Sequence, residues 1–439
     1  MNNIFLEKSI LPIGDLILGT SFIKHLLRLR KEVNLTHDEI NILQKNRLFD
    51  ILKLATLNSK YYKNLLKYEN NDCIKWLKNF PIIDKEILQN ERDNLITTKS
   101  KNLIKLSSSG SSGLRSVVYS NKDEISIHRA TQILWWEWAG YHLGQPILQT
   151  GITPNRGIIK GLKDILLSTY YLQAFTHDPS DLDRALKWAQ KKSNPFLGGY
   201  ASSLYVLANY AKEHNIQLQF ASAVSWGDKL FDHYKAAIET VFKTKVFETY
   251  GSAEGLMIAA QKDLPYMYIM TPNVYLEILD DNGNEVKDGE MGHVVVTSLV
   301  AKAMPLIRYK IGDLAIKLPK DKYPQKRELS LPLLQKVIGR DTDLVKTASG
   351  KYMVVHSFTG IFEHISEIKQ FCVIQENLNG IKIQYIPNKN FNSDILHLIE
   401  KKIQQNLQES TFKIQFEEVS FIPPTPSGKP QIIISKLNK

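Results

Sequence analysis

The sequence predicts an α/β protein: a large N-terminal α/β domain that includes a β-rich subdomain, followed by a small α+β C-terminal domain. Three observations predict it. Between residues 100 and 250, amphipathic helix-length stretches alternate with short apolar runs, the pattern of helices packed on a sheet with parallel pairing. From Val274 the texture changes. Tyr275-Leu276-Glu277-Ile278-Leu279 and His293-Val294-Val295-Val296-Thr297 flank the turn Asp281-Asn282-Gly283-Asn284, a β-hairpin signal. The C-terminal part then reads strand 370–375, strand 380–385, helix 392–408 and strand 412–419. The boundary falls near Gly339-Arg340-Asp341, which gives domains 1–338 and 341–439. The first carries a helical N-terminus over 1–100 and the β-rich subdomain over 274–338.

Residues 9–31 form a basic amphipathic helix pattern. Such a helix packs on its own core or lies on a membrane surface. A second helix runs from Thr36 to Leu66, opened by the capping box Thr36-His37-Asp38-Glu39. Phe80-Pro81-Ile82-Ile83-Asp84-Lys85-Glu86 is a proline-marked turn into a short helix capped by Asp84. Next, the Ser/Gly stretch Leu106–Arg115 lies between two apolar strands, Asn102–Leu106 and Val117–Tyr119. Helices follow at Asp123–Tyr141, which bears Trp135, Trp136 and Trp138, and at 181–192 and 201–214. Ala221–Ser225 and Lys245–Tyr250 read as buried strands.

A length of 439 residues implies two or three domains. Hydrophobic residues at 43% and charged residues at 23% place the chain among globular, not disordered, proteins. Two distant cysteines, Cys73 and Cys372, offer neither a disulfide framework nor metal-ligand spacing. The first 31 residues carry no signal-peptide core and no membrane-spanning run, so the expectation is a cytoplasmic protein without stable membrane insertion. The net charge of +11 is spread among acidic residues without a block of like charge. No aromatic RNP-type motif or clustered basic helix points to nucleic acid.

The chemistry-bearing stretches each have two readings. Ser108-Ser109-Gly110-Ser111-Ser112-Gly113 is a flexible surface loop, or a loop whose N–H groups and hydroxyls wrap an anion. It lacks the Gly-Lys-Ser/Thr ending of a Walker loop; Leu114-Arg115 stand there instead. Tyr250-Gly251-Ser252-Ala253-Glu254-Gly255 places an aromatic, a turn and a carboxylate just past a strand end, where ligands of parallel sheets bind. Glu254 is then a solvated turn carboxylate or a hard oxygen ligand for Mg²⁺. Asp313 could accept both ribose hydroxyls, and Arg340 sits at the domain boundary. Lys429, on Pro424–Lys429, is a solvated loop lysine or a mobile cation for charge developing on a phosphate or carboxylate oxygen.

In their shared order, the loop 108–115, Tyr-Gly-x-x-Glu at 250–254, Gly-Asp at 312–313, Gly-Arg at 339–340 and Gly-Lys at 428–429 resemble the adenylate-forming (acyl-CoA synthetase, luciferase) superfamily. Within it the chain looks most like the phenylacetate–CoA ligase group, with the CapK-type proteins of capsular polysaccharide clusters. Phe80–Lys85 and Gly198–Tyr205 carry that closer likeness. The resemblance implies the adenylate-forming fold with a mobile C-terminal domain, and a two-step ligase. A carboxylate attacks the α-phosphate of ATP, and a thiol or amine then displaces AMP.

It further implies that Ser108 to Gly113 hold the triphosphate, that Tyr250, with Gly251 and Ser252, lies against the adenine, and that Asp313 and Arg340 take the ribose hydroxyls. Glu254 would bind Mg²⁺, and Lys429 would reach the reacting oxygens. Thr342, beside Asp343, falls at the pivot, where the family usually has Asp or Lys. Asp228 in Trp226-Gly227-Asp228 stands where the family has Glu. Candidate pocket residues are Trp135, Trp136, Trp138, Phe196, Tyr200, Ser225 and Gly227, although any single Trp also reads as core. Arg129 or Arg156 would instead make a cationic pocket. The implied partners are a small-molecule carboxylate, with CoA or an amine as acceptor, and a homodimer is compatible. The competing readings are an amide-forming ligase without CoA and a nucleotide-binding protein without ligase activity.

Overall fold

A computed structural model of the chain describes residues 5–65, 72–98, 102–107, 116–152, 164, 167–341, 343–362, 365–423 and 431–437. It divides into two units. One comprises Met1–Ser108, Arg115–Ile311 and Ile316–Lys336; the other includes Gly312–Ala315 and Val337–Lys439.

In the first unit, β1 (Ile104–Ser107) and β2 (Val117–Ser120) form an antiparallel hairpin. The strands that follow are β3 (Ile147–Gly151), β4 (Thr169–Gln173), β5 (Phe196–Tyr200), β6 (Ala223–Trp226), β7 (Val246–Gly251), β8 (Met257–Gln261) and β9 (Met267–Ile269). After them come β10 (Val274–Leu279), β11 (Met291–Ser298), β12 (Tyr309–Lys317) and β13 (Leu333–Arg340). Among the described residues, β3 to β13 build one 11-stranded sheet in the order β10-β11-β12-β13-β9-β8-β7-β6-β5-β3-β4.

Pairing is parallel from β4 through β3, β5 and β6 to β7. It turns antiparallel at β7–β8 and stays so through β8–β9 and β9–β13. Thus the antiparallel region begins at Met257, earlier than the change of texture at Val274 suggested. Only five residues join β7 to β8, too few for a parallel crossover. The expected hairpin forms between β10 and β11, with Leu279 opposite His293.

The parallel half is covered on one face by the helices Pro179–Gln190, Ala201–Glu213 and Asp232–Phe242. Leu186, Leu204 and Phe242 of these helices are fully buried in one core with Phe220 and Leu197. On the other face, the helix Lys122–Trp138 sets Leu134, Trp135 and Trp136 against Phe196, Val224 and Tyr268.

Two helices differ from the sequence reading. The 9–31 pattern breaks into Leu11–Leu18 and Phe22–Glu32, because Gly19 adopts a left-handed φ of 60° and caps the first. Asp15 then accepts from the Thr20 hydroxyl at 2.6 Å and from Ile23 N–H at 2.8 Å, opening the second. The capping-box helix starts as expected, with Glu39 N–H on Thr36, but ends at Asn58 rather than Leu66. There Asn94 captures the chain, its carbonyl accepting from Ser59 Oγ at 2.7 Å and Tyr61 N–H at 3.0 Å.

The Phe80–Ile83 segment docks beside β12 through Ile83 N–H to Arg308 O (3.0 Å) and Lys310 N–H to Ile83 O (2.7 Å). Arg308, buried and at a left-handed φ of 49°, pairs with buried Glu277 at 3.1 Å and donates to Phe80 O at 3.1 Å.

In the second unit, β14 (Leu344–Lys346) pairs with β15 (Tyr352–Val354). The strands β16 (Ile368–Asn377), β17 (Gly380–Pro387), β18 (Lys413–Glu418) and β19 (Ile433–Ser435) form a sheet ordered β18-β17-β16-β19. Ile399, Ile403 and Leu407 of the helix Asp394–Leu407 pack with Val373 and Ile383 of that sheet in one core. Among the described residues, no helix is long and apolar enough to cross a membrane.

Arg308→Ala strips Glu277 of its buried counter-charge. Such a loss costs roughly 3–5 kcal/mol. A urea-unfolding midpoint unchanged from the parent protein would contradict this account of how Phe80–Ile83 is held.

Candidate active site

The site grows out of the end of β7. Its pairing with β8 slips between Tyr250 and Gly251, an irregularity at the last two residues of the strand. Ser252 N–H then bonds Leu256 O at 2.8 Å and Gly255 N–H bonds Ser252 O at 3.1 Å, closing a tight turn around Glu254. Gly255 has a φ of +84°, and a Cβ there would lie 2.3 Å from the His128 ring. Glycine is required on both counts. Half-buried His128 comes from the helix Lys122–Trp138, and burial holds its imidazole down to about 4, hence neutral.

Glu254 itself is 7% exposed. Its Oε1 accepts from the hydroxyl of buried Ser116 and, at 3.3 Å, from the Tyr309 hydroxyl. Burial pushes the carboxyl toward protonation, but the hydrogen bond from Ser116 leads the opposing effects and holds the group below its ordinary value. The result is an ionised carboxylate in a dry setting. Ser116 immediately follows the Ser/Gly loop in sequence. An ionised carboxylate is the hard oxygen donor Mg²⁺ prefers, and Mg²⁺ keeps most of its shell as water, so one protein ligand is sufficient.

Around β5 and β6 a second layer forms. Tyr200 N–H bonds Thr150 Oγ1 at 3.0 Å, and its ring packs on Phe175 at 4.9 Å. Gly227, at φ +80°, lies under that ring, where a Cβ would come within 2.4 Å of it. Asp228 accepts from Ala201 N–H at 2.6 Å and from Ser202 N–H at 3.1 Å, capping the helix Ala201–Glu213. Burial, then the nearby Asp228, push the Tyr200 phenol up to about 12, so it is a neutral donor. Ser225 is buried, its carbonyl taking the Thr249 hydroxyl at 2.8 Å.

Trp135 and Trp136 are 2% and 7% exposed and belong to the core under the sheet, and Phe196 is fully buried there. Trp136 stacks on Trp226 with ring centres 5.7 Å apart, and a Cβ on Gly198 would meet Trp226 at 2.7 Å. Arg129 is exposed.

Within the second unit, Arg340 Nε lies 3.0 Å from Asp313 Oδ1. Gly312, at φ +84°, carries the turn, and its carbonyl accepts from Asp341 N–H at 3.0 Å. Asp343 N–H bonds Arg340 O at 3.0 Å, so Gly312, Asp313, Arg340 and Asp343 form one folded node. Ser108 to Gly113, Arg156, Thr342 and Lys429 lie outside the described residues.

Sequence reasoning missed Ser116, Tyr309 and His128. Tyr309 lies three residues before the Gly-Asp at 312–313, yet only the fold shows its hydroxyl reaching a carboxylate 55 positions away.

Comparison with known proteins places this geometry in a family context. Residues 344–436 match the CapK C-terminal domain. Along its whole length the chain is similar to Protein CapK of Staphylococcus aureus, 24% identical over 97% of this chain and 95% of that protein. It is also similar to the phenylacetate-coenzyme A ligase of Pseudomonas putida, 29% identical over 47% of this chain and 44% of that one. Among solved structures, 2-hydroxyisobutyryl-CoA ligase in its postadenylation state, in complex with R3-HIB-AMP, superposes with a TM-score of 0.70. It is 15% identical over 93% of this chain and 92% of that chain. The fold and the family resemblance read from the motifs are both borne out.

Ser116→Ala should destabilise the protein at neutral pH by about 1.5–3 kcal/mol, the range for a hydrogen bond to a buried charge. Glu254 has a depressed carboxyl, so its contribution is present above the ordinary value near 4.5 and is lost as pH falls through the folded value. The gap between mutant and parent melting temperatures should therefore close on acidification. A gap independent of pH would assign the loss to packing alone.

Proposed function

We propose that this chain, built on the fold of the adenylate-forming ligases and CapK-like at its C-terminus, is an AMP-forming carboxylate ligase. A carboxylate oxygen attacks the α-phosphorus of ATP, and pyrophosphate leaves as the acyl–adenylate forms. A thiol, CoA in the first instance, then attacks the acyl carbon and AMP leaves. The observation that carries this reading is the ionised, buried Glu254. It is hydrogen-bonded to Ser116, the residue that follows the Ser/Gly loop, and sits at the carboxyl end of a central strand. Likeness to two CoA ligases supports the choice of acceptor.

In this reading Ser108 to Gly113 hold the triphosphate with backbone N–H groups and hydroxyls. Tyr250, with Gly251 and Ser252, lies along the adenine, and Asp313, steadied by Arg340, accepts the ribose hydroxyls. Glu254 would hold Mg²⁺, which screens the phosphate oxygens when bound. Lys429 places its ammonium where negative charge develops. Thr342 and Asp343 form the pivot that lets one nucleotide site serve both half-reactions. Tyr200, Ser225 and Gly227 would border the acid.

A pyrophosphate-release screen over carboxylic acids, with and without CoA, tests the reading. Release that proceeds to product without CoA, in the presence of an amine, would replace it with an amide ligase. Absence of release with any acid would leave a nucleotide-binding protein. Lys429→Ala should slow acid-dependent pyrophosphate exchange by roughly a hundredfold or more, as deleting one transition-state charge contact does, while ATP binding changes little. Glu254→Gln should shift the Mg²⁺ titration to higher concentration; superimposable titrations would remove Glu254 from the metal.

A further inference from the structure

The N-terminal helix Leu11–Leu18 is a feature that catalysis does not use. None of its residues is buried. Leu16 and Ile17 are 84% and 77% exposed, and Ile13 and Leu18 are also exposed. Ile13, Leu16 and Ile17 are spaced i, i+3, i+4 and so form one continuous apolar face. The next helix, Phe22–Glu32, behaves differently: Ile23, Leu26 and Leu29 are buried, anchoring the pair to the body of the protein. Ile10 and Leu11 also pack against that core, so core packing accounts for the second half of the 9–31 pattern and for the start of the first, but not for the exposed face of Ile13, Leu16, Ile17 and Leu18.

The exposed charges flanking this helix in sequence include three lysines, while nearby acids are engaged: Glu7 pairs with Arg30 at 2.6 Å, and Asp123 bonds His25 at 2.7 Å and acts on Lys24. Lys8 precedes the helix, and Lys24 and Lys31 follow it; all three are exposed. Lys24, Leu27 and Lys31 share one exposed stripe of their helix. The Lys122 ammonium donates to Leu18 O at 3.0 Å, fixing a cation at the end of the apolar helix. The one acidic residue within the apolar helix, Asp15, is turned to the Thr20 and Ile23 bonds that cap its neighbour.

We propose that Leu11–Leu18 is an interfacial anchor that seats the protein on an anionic lipid surface, its apolar face entering the headgroup boundary while the flanking lysines meet lipid phosphates. Charge selects this occupant over a second copy of the chain. A second copy would bring the same exposed lysines and the same net charge of +11 to the contact, whereas an anionic surface supplies the opposite charge. The helix lies on the surface and does not cross the bilayer.

The test is vesicle flotation of the full chain, with sedimentation velocity in parallel. The protein should float with phosphatidylcholine vesicles containing phosphatidylglycerol, float much less with phosphatidylcholine alone, and be released by added salt. Leu16→Gln with Ile17→Gln should weaken vesicle binding at least about tenfold. Because both side chains are exposed, this variant should keep the parent's melting temperature. Lys24→Glu with Lys31→Glu should weaken binding to the anionic vesicles while leaving any residual binding to neutral ones unchanged. Failure of the parent to float with anionic vesicles would overturn the proposal. So would a dimer that the Leu16/Ile17 variant converts to monomer in the absence of vesicle binding, which would assign the face to contact between copies.

Discussion

One buried negative charge organises the region at the end of β7. An ionised carboxylate withdrawn from water is costly unless hydrogen bonds replace its hydration. Glu254 obtains them from Ser116, at the start of the β1–β2 hairpin's second arm, and from Tyr309, at the start of β12. Three elements distant in sequence thus converge on one side chain. The irregular pairing at Tyr250 and Gly251, the left-handed Gly255 and the neutral His128 packed beneath it set where that side chain points. Arg308, adjoining Tyr309, extends the arrangement outward. Its ion pair with Glu277 and its grip on Phe80 hold the start of β12 and the Phe80–Ile83 segment together.

The aromatic residues serve this arrangement from below. Trp136 stacks on Trp226 and meets Tyr141 edge-on at 5.5 Å, filling the space between the helix Lys122–Trp138 and the sheet. Trp226 leads directly into Gly227 and Asp228. A rigid stack therefore fixes the turn on which Tyr200 rests. The indoles act as a foundation for the layer around Tyr200, in which the buried side chains Thr150 and Ser225 are small and polar.

Much of this was legible in the sequence because it is local. The capping box at Thr36 to Glu39 and the cap at Asp84 depend on residues within three positions of each other, although the same kind of cap at Asp178 escapes the sequence reading, which begins that helix at 181. The β10–β11 hairpin announces itself by alternation around a Gly turn, and β6 and β7 by short apolar runs between helices, while β3, β4 and β5 are not read as strands. What could not be read depends on contacts across long separations. Ser116 and Glu254 are 138 positions apart, and no local pattern couples them. The end of the Thr36 helix depends on Asn94, and its propensity alone would have carried it further. Antiparallel pairing at Met257 was hidden because β8 and β9 are short and apolar on both sides.

In the proposed ligase, the position of Asp228 would bear on how an incoming acid is held. The N–H groups that open the helix Ala201–Glu213 are where a negatively charged ligand would ordinarily be welcomed. Here the chain has filled that berth with a carboxylate of its own, bound to Ala201 and Ser202. A guest anion beside Tyr200 meets a neutralised helix end, with a fixed like charge behind it. An acid bound there in the proposed ligase would draw its counter-charge from a group other than this helix end.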